Sequence, residues 1–293
     1  MLRRIFVGPN GIRAGWRLLI YSIFAAVILG VLFHLALHTS PLRVPAFRLG
    51  ELLPRELIAA FATLAAAAIM ARIEHRPFGS YGLPWKRALG ARFCEGAVWG
   101  FTAMTVILLI LRATNSFSFG SAQLHSRQLL FYALGWGGYF VVVGLYEEFS
   151  FRGYPQFTLT TGMGFWPAAF LLSAIFSTAH LANPGENLLG VLQVFVTALL
   201  LCLSLRRTGN LWFAIGLHGA WDWAETFFYG VPNSGFQGPG HFLNPMFHGP
   251  KWLTGGTAGP EGSAVTLLVE LAMIWLVALR FRVPPKALQA SQK

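Results

Sequence analysis

The fold class this sequence predicts is an all-α polytopic membrane helix bundle of about eight transmembrane helices, and three observations carry it. Hydrophobic residues make up 55% of the 293 positions, only 11% are charged, and the mean hydropathy is +0.56, against about 25% charged residues in a soluble domain. The apolar residues gather in runs close to the ~20 needed to cross a bilayer. The basic residues then fall unevenly on the two sides that those runs define.

Eight runs meet the length criterion: roughly 16–37, 56–73, 93–111, 129–157, 164–182, 187–205, 210–229 and 263–281. The first is too long for the 7–15-residue apolar core of a signal peptide, so a retained helix is expected. With the N-terminus in the cytoplasm, only Arg43, Arg48, Arg55, Arg112, Arg127 and Lys251 of the 22 lysines and arginines face outward. Both termini are therefore expected to be cytoplasmic. Three regions follow: 1–127 with helices 1–3, 128–228 with helices 4–7, and 229–293 with an outer Gly/Pro-rich loop and helix 8.

Several function classes drop out at this stage. The net charge of +11 comes from short segments between apolar runs, which argues for orientation signals and against a nucleic-acid partner. Cys94 and Cys202 lie in apolar runs without metal-type spacing and read as packed thiols. Residues 41–54 form a short loop with an interfacial turn, and 76–84 is a turn-rich cytoplasmic connection. The loop 230–262, with His241 and His248, is either a lid or a poorly ordered linker. No internal repeat of the transporter type is present.

The fourth run ends in Glu147-Glu148-x-x-x-Arg152. Glu148 and Arg152 are four apart with the acid first, the arrangement that pairs them on one helix face. Glu147 is rotated by about 100° and keeps a free carboxylate. A plain structural salt bridge at a helix end is the alternative. The fifth run ends in Phe176-x-x-x-His180, with Phe176 read as packing and Asn183-Pro184 as the helix end. The seventh carries His218-x-x-x-Asp222, a histidine and the chain's sole aspartate sharing a face, where the carboxylate can fix the imidazole tautomer. Glu225, seven residues past His218, is assigned a solvated role near the outer end. Glu95 is taken as interfacial, and Glu270 has no account.

Ionisable groups in membrane spans face the bundle interior or a water-filled cavity. This inventory suits water activation and oxyanion stabilisation. The His-Glu-x-x-His, Gly-x-Ser-x-Gly and Gly-x-Gly-Asp signatures of other membrane hydrolases are absent.

In order and spacing the three motifs resemble those of the CAAX-protease and bacteriocin-processing (CPBP) family of intramembrane proteases, over roughly residues 128–228. The resemblance implies an endopeptidase acting on membrane-associated protein or peptide substrates, in which Glu147 is the general base on a water also held by His180. It further implies that His218 and Asp222 stabilise the oxyanion, supported by Glu148 and Arg152. The departure is Asp222, where prenyl-protein members usually carry asparagine. An ionised aspartate cannot donate to an oxyanion, so it is either protonated or acts through His218.

Glu147, His180 and His218 could hold a catalytic divalent metal such as zinc; the favoured reading needs no cofactor, since no residue pair has the close spacing of zinc-binding helices. A catalytically silent scaffold or immunity protein and a proton-coupled transporter are the competing readings. A bacterial inner membrane is the expected location. Depth imposes one further expectation: helix 4 must run past Arg152 to about Phe157, with a kink or an altered turn at Pro155, for Glu147, His180 and His218 to meet within about 10 Å, at 1.5 Å rise per residue.

Overall fold

The structure, a computed structural model, describes residues 6–8, 11–39 and 49–281. Helices α1 (Ala14–Thr39), α2 (Leu49–Ile73), α3 (Ala91–Ala113), α4 (Ser126–Arg152), α5 (Tyr154–Met163), α6 (Phe165–Ala179), α7 (Leu188–Thr208), α8 (Trp212–Trp223) and α9 (Ala264–Arg280) follow one another, and a π-helical turn, Ala224–Tyr229, extends α8. The protein is a multi-pass integral membrane protein. Most of the turn expected at 41–54 lies outside the described residues.

Among the described residues, six helical stretches are long and apolar enough to cross a membrane, with α4 and α5 counting as one. The seventh and eighth expected spans fall short of that length. The seventh is 12 α-helical residues followed by six π-helical ones, and the eighth has 17. For α8 the physical reason is burial. Phe213, Ala214 and Ile215 of α8 have no exposed surface, so protein and not lipid surrounds this helix, and bilayer thickness does not set its length.

Glycines make that enclosure possible. A Cβ on Gly96 or Gly100 of α3 would lie 2.1 Å from a carbonyl oxygen of α8, and one on Gly219 of α8 would lie 2.8 Å from Phe140 of α4. Small residues at such contacts let backbones approach where lipid supplies no hydrophobic drive. Helix α1 is the opposite case, facing outward along nearly its whole length, with Val27, Val31 and Leu35 exposed.

The fourth run departs from expectation in one detail. Helix α4 stops at Arg152, and the break falls at Gly153 (φ −81°, ψ −127°). A Cβ on Gly153 would stand 2.4 Å from the Phe149 carbonyl oxygen. Pro155 sits in the first turn of α5, where its missing N–H costs no helical bond. The backbone thus stays helical beyond Phe157, as two helices.

Two tethers hold the ends of the bundle. On the side of the 76–84 connection, Glu74 accepts from Arg17 of α1 (3.3 Å), Tyr81 (2.9 Å) and Tyr154 of α5 (2.5 Å). Burial, and then the Glu74 charge, push the Tyr81 phenol above its ordinary pKa, so it remains a donor. On the opposite side the 230–262 segment is folded against the bundle. Met246–Phe247 pairs antiparallel with Phe117–Ser118, and Gly235 donates to the Ala258 carbonyl (2.9 Å).

Candidate active site

The end of α4, the end of α6 and the middle of α8 enclose a cavity of about 470 Å³, lined by Glu147, His180, His218 and Asp222 together. The three motifs, distant in sequence, converge on one space. Its size falls within the roughly 300–1,000 Å³ of ligand pockets.

Glu148 and Arg152 form the fully enclosed part of the site. The Arg152 guanidinium donates to Glu148 Oε1 at 3.2 Å, with both side chains buried. Its planar group also lies over the Phe176 ring, 4.5 Å from the centroid. The i, i+4 pairing was legible in the sequence. The second partner of Glu148 was not: His218 Nδ1, across from α8, donates to the same Oε1 at 2.9 Å.

That bond fixes the imidazole. With Nδ1 committed to Glu148, Nε2 faces Asp222 Oδ2 at 3.5 Å and Glu147 Oε2 at 3.8 Å. A histidine ringed by three carboxylates is placed to carry a second proton, on Nε2, as an imidazolium. Glu147, with its side chain 28% exposed, is the carboxylate left open to the cavity, as the helix rotation requires.

His180 lies past the end of α6, where the helix tightens into a 3₁₀ turn over His180–Ala182. Its Nδ1 meets the Phe176 carbonyl at 2.8 Å. A carbonyl only accepts, so Nδ1 is the protonated nitrogen and Nε2 is the one available to a water. Phe176 is therefore packing, as expected, and it links Arg152 to His180 through its ring and its carbonyl.

Other sequence readings are corrected. Glu225 is fully buried, not solvated, because the 230–262 segment covers the C-terminal end of α8. Cys94 is exposed, whereas Cys202 is a packed thiol. Glu95 is paired with Arg92 (2.5 Å) and Arg280 (3.1 Å) at a half-exposed position. Glu270 acquires an account: it reaches from α9 to Gln193 and Thr197 of α7, two residues in the cavity wall.

For a metal, the donor geometry is specific. Among the described residues, the only trio of His, Cys, Asp or Glu side chains whose ligand atoms lie within 4.8 Å of one another is Asp222, Glu225 and Glu261. Glu147, His180 and His218 do not meet that spacing, and zinc bonds of 2.0–2.2 Å demand it. As they stand, those three side chains do not fit a zinc site.

Residues 127–224 match the model of the family described as type II CAAX prenyl endopeptidase, Rce1-like. Over that third of its length the chain is similar to the Rce1-like family. The matched stretch begins at the start of α4 and ends one residue past α8, so every residue of the three motifs lies inside it. No curated protein and no solved structure matches the chain. The Rce1-like family is one of proteases, and the likeness over this stretch points to protease activity on a protein or peptide in a membrane.

Proposed function

We propose that the protein is an intramembrane endopeptidase that hydrolyses peptide bonds of membrane-associated protein or peptide substrates with a water activated by Glu147. The observation that carries this reading is the environment of His218. Glu148 holds its Nδ1, and its Nε2 is directed to the cavity between Glu147 and Asp222. An open carboxylate and a ring N–H thus face one space, 3.8 Å apart.

The chemistry follows from those positions. Glu147 takes a proton from a water that also donates to His180 Nε2, and the resulting hydroxide attacks the scissile carbonyl carbon. The developing oxyanion accepts from His218 Nε2–H. Glu147 then returns the proton to the leaving amine as the C–N bond breaks, giving a carboxylic acid and an amine. Asp222 acts through His218, favouring the imidazolium and its orientation. Arg152 keeps Glu148 ionised and in place. The two termini lie on the cytoplasmic side in this reading, and a bacterial inner membrane is the proposed location.

The test is cleavage of a membrane-associated substrate by the full chain in proteoliposomes. Glu147→Gln removes the base but preserves shape, so the rate should fall by about 10²–10⁴-fold with an unchanged thermal unfolding midpoint. Cleavage at the wild-type rate would exclude Glu147 as the base. Wild-type cellular function in that variant would instead favour a silent scaffold, and uptake dependent on a pH gradient would favour a transporter.

A further inference from the structure

A second group of carboxylates adjoins the site and shares Asp222 with it; its other two members play no part in the chemistry above. One oxygen each from Asp222, Glu225 and Glu261 lies within 4.8 Å of the other two. Two come from α8 and its π-helical extension, and the third arrives from the 230–262 segment. Glu225 has no exposed surface, and neither of its oxygens meets a donor in hydrogen-bonding geometry. Among the described residues no lysine or arginine pairs with any of the three; their one ion-pair neighbour is His218, 3.5 Å from Asp222. Glu225 is thus a buried carboxylate with neither a donor nor a counter-charge, which is costly for an anion. A cation shared with its two neighbours would neutralise it.

The surroundings have the form of a ligand shell. Oxygens sharing a cation at about 2.3–2.6 Å stand no more than about 5.2 Å apart, which the trio satisfies. The Ser234 N–H and hydroxyl both donate to Glu261 Oε2 at 2.8 Å, holding that carboxylate against the cluster. Asp222 and Glu261 also line the cavity, so water can complete the coordination. Glu225 lies in the π-helical turn, and such turns in α-helices recur at functional sites. An all-oxygen, anionic donor set favours hard cations over zinc.

We propose that Asp222, Glu225 and Glu261 bind one divalent cation, of the calcium, magnesium or manganese class, which pins the 230–262 segment to the C-terminal end of α8. The ion is a clamp between segments, and through Asp222 it sets the position of the carboxylate beside His218. It lies apart from the Glu147, His180 and His218 trio considered for zinc.

The experiment uses the full chain in detergent, stripped with a chelator and titrated separately with calcium, magnesium and manganese chloride. Ion binding is followed by equilibrium dialysis and the unfolding midpoint by a thermal scan. One ion per chain should bind and the midpoint should rise saturably, in step with occupancy. In Glu225→Gln and Glu261→Gln the affinity should fall about tenfold or more, whereas Arg280→Gln should bind as the wild type does. Should Glu225→Gln not fold, Glu261→Gln, on the covering segment, decides alone. Absence of saturable binding of all three ions to the wild type, or undiminished binding in the glutamine variants, overturns the proposal. Neither readout involves cleavage, so its failure leaves the proteolytic reading untouched, and the reverse also holds.

Discussion

The carboxylate groups around Glu148 and around Glu225 meet the same physical problem in different ways. Around Glu148 the charge is balanced from within: Arg152 and His218 both donate to one oxygen, at 3.2 and 2.9 Å, and the phenylalanine at 176 caps the guanidinium. Around Glu225 three acids converge with no arginine or lysine among the described residues. The first group is balanced in charge, although Glu148 Oε2 and Arg152 Nη2 meet no hydrogen-bond partner. The second is incomplete, and its completion depends on what the surroundings supply.

That difference is measurable. Arg152→Met should have the largest effect, about 3–5 kcal/mol in detergent-based chemical unfolding, because it strands a buried carboxylate. Glu148→Gln should cost less, about 1.5–3 kcal/mol, the range for a hydrogen bond to a charged partner. It should also slow cleavage about 10–100-fold as His218 loses its anchor. Glu225→Gln, in chelator-treated protein, should change stability by less than about 1 kcal/mol or raise it, since no native ion pair is lost. A cost like that of Arg152→Met would show that the Glu225 group is balanced internally after all. Smallest is Arg280→Gln at the half-exposed Glu95 pair, about 0.2–1 kcal/mol and diminishing with salt.

What the sequence disclosed follows the range of each interaction. The Glu148–Arg152 pair spans one helical turn, so spacing alone revealed it. The Glu148–His218 bond joins α4 to α8, and no local rule reports which of two adjacent acids a distant histidine will meet. Glu225 was misread because hydropathy places it near the end of a run, where water is the default. The segment that buries it is Gly- and Pro-rich and carries no periodic signal. Gly153 was passed over in favour of Pro155, although a proline in the first turn of a helix disturbs nothing. A helix sheathed by other helices is as apolar as one sheathed by lipid, so hydropathy reads α8 as a span whether or not it reaches both membrane faces.

The Glu74 carboxylate brings together α1, the end of α2, the 3₁₀ turn at Tyr81 and α5 through three donors. Helix α1 otherwise offers most of its surface to lipid, and its further ties, Tyr21 stacked on Tyr154 at 4.5 Å and Arg17 bonded to Thr161, lead to the same corner. Local opening at this corner is therefore concerted: the terminal helix, the connection and the helix after Gly153 loosen together or not at all. Hydrogen exchange in Glu74→Gln should split that single opening event into separate ones, with α1 exchanging first. A carboxylate far from the cavity thus decides whether one edge of the protein frays by pieces or moves as a unit.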